Sequence, residues 1–258
     1  MDLGIKDLRV LVTAGAGGIG LEIARAFVRE GAKVFICDVD KDALAAVAKS
    51  DPALKATTCD VADRAAVARL FDAAVAHLGG LDCLVNNAGI AGPTGRIEEI
   101  NPEDWDRCIA VDLTSQFNCA RLAIPHLRTS NNASIMNLSS QAGKHGFPLR
   151  SPYAAAKWGV IGFTKSIAME LGPDGIRVNA LLPGLVAGDR IRRVIEAKAQ
   201  QDGVSFKEKE AELLRSVSLK DYVTPQQLAD MVVFTASPRG RTISGQAISV
   251  CGDTNMLG

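Results

Sequence analysis

From Val10 to Phe27 the sequence reads VLVTAGAGGIGLEIARAF: an apolar run, a glycine-rich turn and the opening of a helical pattern. Its glycines fit two registers. Counted from Gly15, the run Gly15-Ala16-Gly17-Gly18-Ile19-Gly20 matches G-x-G-x-x-G, the general dinucleotide fingerprint. Counted from Thr13, it is T-A-G-A-G-G-I-G, one residue away from T-G-x-x-x-G-I-G. In either register the glycines let the backbone approach a pyrophosphate. The helix starting near Gly18 aims its free N–H groups and positive dipole end at that anion.

Outward from this turn, strand-like and helix-like segments alternate. Apolar strands are expected at Leu8–Thr13, Lys33–Asp38, Ala56–Asp60, Leu81–Asn86, Ser134–Ser139, Arg177–Leu182 and Gln246–Val250. Helices are expected at Gly18–Glu30, Asp40–Lys49, Arg64–Leu78, Tyr153–Leu171 and Pro225–Ala236. Another starts at an Asn101 cap with Pro102 at its first position and runs, with one break, to about Arg128. This rhythm predicts an α/β fold, a Rossmann-type doubly wound parallel sheet with helices on both faces. No linker or repeat interrupts residues 1–258, so one domain is expected. Residues 188–220 break the rhythm with the charged amphipathic stretches RIRRVIEAKAQ and FKEKEAELLRSV. They read either as solvated surface helices or as a lid, since they follow a strand's carboxyl end.

With 29 basic and 29 acidic residues the formal net charge is zero. That leaves no basic excess to attract nucleic acid or an anionic membrane surface. The start MDLGIKDLRV is unlike a signal peptide, and no apolar run approaches the ~20 residues of a membrane span. A cytoplasmic protein with no nucleic-acid or membrane partner is expected. The six cysteines are scattered singly, as reduced, buried thiols would be. His77, His126 and His145 lack metal-ligand spacing, so no metal is expected.

Asp38 closes the second strand, where a carboxylate accepts hydrogen bonds from adenosine ribose hydroxyls and repels a 2′-phosphate. The glycine turn holds no arginine or lysine, and Val39 follows Asp38. NAD is therefore expected over NADP. A second informative stretch is IMNLSSQAGKHGFPLRSPYAAAKWGV. Tyr153 and Lys157 lie one turn apart on a predicted helix, and an ammonium beside a phenol favours the phenolate. Such a tyrosine serves as proton donor to a ketone or as base toward an alcohol. Ser140, at a strand end, is placed to polarise the same oxygen.

With these residues in place the chain resembles the short-chain dehydrogenase/reductase family in its shorter single-domain form, along essentially the whole length. The likeness rests on the Thr13–Gly20 turn, Asp60-Val61, Asn86-Asn87-Ala88-Gly89, Ser140, Tyr153-x-x-x-Lys157 and Pro183-Gly184. It selects the register that starts at Thr13. The resemblance implies a seven-stranded sheet, a nicotinamide cofactor and hydride transfer at a secondary alcohol carbon. By it, Tyr153 is the acid/base, Lys157 assists it and holds the nicotinamide ribose, and Ser140 steadies the substrate oxygen. Thr13, Gly15, Gly18, Ile19 and Gly20 would contact the cofactor in the turn. Asp38, Asp60, Val61, Asn87, Ala88 and Gly89 would lie along its adenosine half, and Pro183, Gly184 and Val186 near the nicotinamide. Asn86 and Asn87 also read as a turn that ties strands together. A homotetramer is expected from the same likeness.

Three positions depart from the family pattern. Ala14 replaces a glycine, so the turn must avoid positive φ there or accept strain, with Gly15 at hand to absorb some of it. Asp112 replaces an asparagine that often supports a water chain to the lysine. A carboxylate there stabilises the charge of Lys157 but partly offsets its effect on Tyr153. Gly188 replaces a threonine that often touches the nicotinamide carboxamide, which leaves the Val186 backbone for that contact. Residues expected to face substrate include Gln141, Lys144, His145, Arg150, Arg190, Arg192 and Arg193. Arg150, close to Tyr153, is the best-placed carboxylate clamp. A sugar, sugar acid or hydroxy acid is the expected substrate. The alternatives are a 3-oxoacyl-thioester reductase and, from another class, a nucleotide-binding sensor or scaffold that does no chemistry.

Overall fold

Strand β1 (Arg9–Thr13) shows why the sheet is buried on both faces. Val10 and Val12 enter one apolar cluster and Leu11 the other, the alternation that a strand's two-residue period dictates. The same alternation runs through β2 (Lys33–Asp38), β4 (Cys83–Asn86) and β5 (Ser134–Leu138), where Val34, Val85 and Met136 face one side and Phe35, Leu84 and Ile135 the other. With β3 (Lys55–Thr58), β6 (Arg177–Pro183) and β7 (Ala247–Val250) they form a seven-stranded parallel sheet in the order β3-β2-β1-β4-β5-β6-β7. The computed structural model describes residues 2–255, without the side chains of residues 189, 190, 197, 198 and 201.

Helices cover both faces, as the sequence predicts. α1 (Gly18–Arg29), α2 (Lys41–Ser50) and α9 (Pro225–Ala236) pack on one cluster. α3 (Arg64–Leu78), α5 (Ser115–Leu127) and α6 (Ser151–Leu171) pack on the other. On α1, Ile23 and Phe27 are fully buried, each contributing about 1.5–3 kcal/mol relative to exposure. Side-chain caps fix the helix starts: Asp40 and Asp63 accept N–H groups at α2 and α3, and Thr224 and Gln227 form a capping box at α9. Asn101 caps α4 (Pro102–Ile109) with Pro102 in its first turn. The predicted break that follows is a π-helical turn, Ala110–Thr114, running straight into α5.

Several boundaries differ from the sequence reading. β4 begins at Cys83 rather than Leu81, because pairing with β1 starts at Val10 opposite Cys83 while Asp82 turns its carboxylate onto Arg9. β3 spans Lys55–Thr58 rather than Ala56–Asp60, since Asp60 folds back to accept the Ala62 N–H. α6 begins at Ser151, with Pro152 in the first turn where its missing N–H costs nothing. Between β6 and α9, residues 188–220 hold α7 (Asp189–Asp202) and α8 (Phe206–Arg215), joined by the ion pair of Lys209 with Asp202, while Lys209 also pairs with Glu212 within α8. Among the described residues no helix is long and apolar enough to cross a membrane.

The order of the sheet reverses between β1 and β4, and neighbouring connections therefore leave on opposite faces. In open parallel sheets that point opens a crevice at the carboxyl ends of the strands. The turns after β1, β4, β5 and β6 all end there.

Candidate active site

The two central turns are bolted together by one threonine and one asparagine. Thr13 Oγ1 accepts the Asn87 and Ala88 N–H groups at 2.9 and 3.0 Å. Asn87 Nδ2 donates back to the Thr13 and Ala14 carbonyls, both at 3.0 Å. Ala14 adopts φ +48°, so the turn accepts the strain, a left-handed conformation that costs a non-glycine residue about 1–2 kcal/mol. Gly15 does not relieve it. That residue donates to the Cys37 carbonyl, and a Cβ there would lie 2.7 Å from Ile36 Cβ. Gly20 is required by a closer approach: its Cβ would lie 2.1 Å from the Ala14 carbonyl oxygen.

Gly17 and Gly18 are different. Both are exposed and have open space around the Cβ position, and α1 starts beside them with no side-chain cap. Half-buried Ile19 packs against the core below. An uncapped helix start behind an open glycine shelf fits a pyrophosphate, whose oxygens would satisfy the first-turn N–H groups.

Asp38, half-buried at the end of β2, accepts the Ala16 N–H on Oδ2 and the Asp40 N–H on Oδ1, both at 3.1 Å. Its charge is thus fixed against the glycine turn. Asp60 is more heavily engaged, with Oδ1 on the Ala62 N–H and Oδ2 on Arg107 Nη2 at 3.1 Å. Val61 beside it is buried. After β6, Gly184 donates to the Val250 carbonyl, and a Cβ there would meet Cys251 Cα at 2.7 Å, so this glycine is set by packing against the end of β7. Val186 bridges Val223 in parallel through the flanking groups, Val223 N–H to the Leu185 carbonyl and Ala187 N–H to the Val223 carbonyl. Its own N–H and C=O therefore turn to the opposite side. Gly188 lies at φ +141° and leads into α7.

Ser140 follows β5 and caps the short turn Gln141–Gly143, its Oγ accepting the Ala142 N–H at 3.1 Å. The hydroxyl proton remains available to another acceptor. Tyr153 is half-buried in the first turn of α6, and Lys157, one turn on, is 3% exposed. The Lys157 ammonium donates to the Leu138 carbonyl at 3.1 Å and lies 5.5 Å from the centre of the Tyr153 ring. A methyl group on Gly89 would lie 3.0 Å from Asp112 Oδ1 and 3.3 Å from Lys157 Nζ. Asp112 and Lys157 thus flank the same glycine. Asp112 is fully buried and accepts the Ile90 N–H at 2.7 Å.

Around this group the expected substrate residues take different positions. Gln141 is buried and turns its amide into the fold, donating to the Leu182 carbonyl at 3.0 Å. The capped turn that begins at Ser140 draws it inward. His145 is half-buried, whereas Lys144 reaches across to Ser249 Oγ. Arg150 donates to the Ala91 carbonyl and lays its guanidinium 5.2 Å from the Phe147 ring centre and 5.3 Å from that of Tyr153. Arg192 and Arg193 are exposed on α7, and the Arg190 side chain lies outside the described residues.

The family model described as enoyl-(acyl carrier protein) reductase matches residues 14–253. D-beta-hydroxybutyrate dehydrogenase of Cupriavidus necator is 35% identical over 240 residues, covering 91% of this chain and 93% of that protein. The chain belongs to the short-chain dehydrogenase/reductase family. Two solved members superpose closely. An actinorhodin polyketide ketoreductase with NADPH gives a TM-score of 0.90 at 33% identity, over 99% of each chain. L-sorbose reductase from Gluconobacter frateurii, complexed with NADPH and L-sorbose, gives 0.92 at 27% identity, over 98% of each. As a short-chain dehydrogenase/reductase the chain is an oxidoreductase that takes a nicotinamide cofactor.

Gln116 joins the group around Lys157 without being singled out by any sequence motif. Its Nε2 donates to the Asp112 and Leu138 carbonyls, each at 3.2 Å. The Leu138 carbonyl thereby serves both Gln116 and Lys157 and ties the π turn to β5. A four-residue step from Asp112 on a helical stretch was the available signal.

Proposed function

We propose that this short-chain dehydrogenase/reductase is NAD-dependent and interconverts a secondary alcohol and a ketone on a small polar substrate, namely a sugar, sugar acid or hydroxy acid. The observation that carries the reading is buried Lys157, 5.5 Å from the centre of the Tyr153 ring and bonded to the Leu138 carbonyl at the carboxyl end of β5, two residues before Ser140. Bound nicotinamide would accept or supply the hydride. The phenol oxygen of Tyr153 takes the proton from the alcohol or gives it to the ketone. The Lys157 ammonium stabilises negative charge as it develops on that oxygen, and the Ser140 hydroxyl donates to the substrate oxygen. Asp112 and Gln116 act behind Lys157.

The open shelf at Gly17, Gly18 and Ile19 would hold the pyrophosphate. Asp38 would take the adenosine ribose hydroxyls, Asp60 and Val61 the adenine, Asn87–Gly89 the adjoining ribose, and Pro183, Gly184 and the Val186 backbone the nicotinamide end. The preference for NAD rests on the Asp38 charge, with Val39 beside it and no basic side chain at 13–20. The actinorhodin ketoreductase and the L-sorbose reductase carry NADPH, and the assay below sets NAD against NADP. Relatives named for hydroxybutyrate and sorbose support a polar substrate, with His145 and Arg150 at its end of the site. The segment with α7 and α8 is read as a lid over it. A 3-oxoacyl-thioester reductase is the second reading, favoured by the likeness to a polyketide ketoreductase. Phe117 on α5 and Trp158 and Met169 on α6 are exposed, which supports the expected homotetramer.

The test is reduced-nicotinamide formation with NAD and, separately, NADP, across sugars, sugar acids, hydroxy acids and polyols. Ketones and 3-oxoacyl thioesters are assayed in reverse. Tyr153→Phe is expected to lower kcat by about 10²–10⁴-fold while NADH still binds. Full activity in that variant would sink the reading.

A further inference from the structure

The Asp112 carboxylate is held by donors on both of its oxygens. Oδ1 accepts the Ile90 N–H at 2.7 Å, and Oδ2 faces the Cys108 thiol, whose Sγ lies 3.7 Å away. Cys108 lies one turn earlier, on α4, and is fully buried. Burial, then the adjacent carboxylate, pushes this thiol up to about 12, so the proton stays on sulfur and is there to donate. On its other side the thiol meets the chain at Gly92. That residue is in the left-handed region at φ +67°, and a Cβ on it would lie 2.8 Å from Cys108 Sγ and 4.0 Å from Tyr153 Cβ. The sulfur is therefore confined between the loop beside Tyr153 and the carboxylate beside Lys157.

A carboxylate so near Lys157 has two possible effects. It keeps the lysine charged, and it draws that charge away from the phenol. We propose that Cys108 is a positioning residue: its thiol tethers the Asp112 carboxylate so that the Lys157 ammonium remains directed at Tyr153. The inference rests on reading Tyr153 and Lys157 as the proton-transfer pair. The charged and titratable groups concerned are Cys108 from α4, Asp112 from the π turn, Lys157 from α6 and Arg150 over the Tyr153 ring. Without the thiol, Oδ2 loses its donor, and the carboxylate, still held by the Ile90 N–H, is drawn toward Lys157 and neutralises it more fully.

The chain has two tyrosines, so Tyr222→Phe leaves Tyr153 as the sole phenol. In that background the absorbance of tyrosinate near 295 nm is titrated without substrate or cofactor, and thermal melting confirms the fold. Cys108→Ala is expected to raise the midpoint by about half a pH unit, a threefold change in the ionisation constant. Cys108→Ser, which restores a donor, is expected to return it. In the Asp112→Asn background Cys108→Ala is expected to lose most of its effect, as residues acting through one group do. Should Cys108→Ala not fold, Cys108→Val, which fills the space without a donor, takes its place. An unmoved midpoint, no return with serine, or a full shift in the Asp112→Asn background each overturns the proposal. Because no turnover is measured, failure here is distinct from failure of the activity screen.

Discussion

Two glycines of one motif are expected to fail in opposite ways. Gly20→Ala brings a Cβ to 2.1 Å from the Ala14 carbonyl oxygen and 2.5 Å from Asn87 Nδ2. The obstacle at Ala14 is backbone, already at φ +48°, and cannot rotate away. Ordinary contact requires the start of α1 to withdraw by about 1 Å, which disturbs the buried face of Ile23, Ala24 and Phe27 and costs roughly 1–3 kcal/mol as overpacking. Loss of an Asn87 hydrogen bond to the turn adds about 1 kcal/mol. The expected sum of about 2–4 kcal/mol lowers Tm by roughly 4–8 °C for a chain this long. Gly17 meets nothing within 4 Å and has φ −162°, an extended conformation open to any residue. Gly17→Ala is therefore expected to keep or slightly raise Tm while weakening NADH binding, because the new methyl occupies the shelf. Thermal melting and NADH fluorescence titration on both variants decide the matter. A Gly20→Ala protein with parental Tm and affinity refutes the packing argument, and a Gly17→Ala protein with parental affinity refutes the assignment of the shelf.

Asp38→Asn removes the charge at the end of β2. It is expected to shift the kcat/KM ratio toward NADP by about tenfold or more, since juxtaposed like charges cost several kcal/mol; an unchanged ratio removes Asp38 from cofactor choice. Ala14→Gly relieves about 1–2 kcal/mol of backbone strain but adds roughly 0.5–1 kcal/mol of unfolded-state entropy. Its Tm should rise by no more than about 3 °C, and a marked fall would mean that the alanine methyl is needed for packing. Asp82 is pushed up by burial, but hydrogen bonds, chiefly from Arg9, outweigh this and leave its carboxyl below the usual range. Because the folded value is depressed, the stabilisation is complete above the unfolded value, about 4, and is lost as pH falls through the folded one. The stability gap between the parent and Asp82→Asn, measured by urea melts, should hold from pH 7 to 5 and close on further acidification. A gap that widens instead would reverse the sign of the argument.

Much was legible in the chain itself because local rules and tertiary demands agreed. Alternating strand residues such as Val10, Leu11 and Val12 must fill two cores, and caps such as Asp40, Asp63 and Asn101 mark helix starts through backbone groups only a few residues away. The glycine turn, Ser140 and the Tyr153–Lys157 spacing belong to the same class, as short patterns with local geometry. Tertiary structure decided what depends on distant partners. The Ala14 conformation is held by Asn87, and the inward turn of Gln141 ends on the Leu182 carbonyl of β6. Lys157 is aimed by the Leu138 carbonyl of β5 and flanked by Asp112 from a π turn, to which Cys108 and Gln116 add their own bonds. No periodicity encodes those meetings. They arise where the turns after separate parallel strands end at one edge of the sheet, because buried polar groups must find partners there.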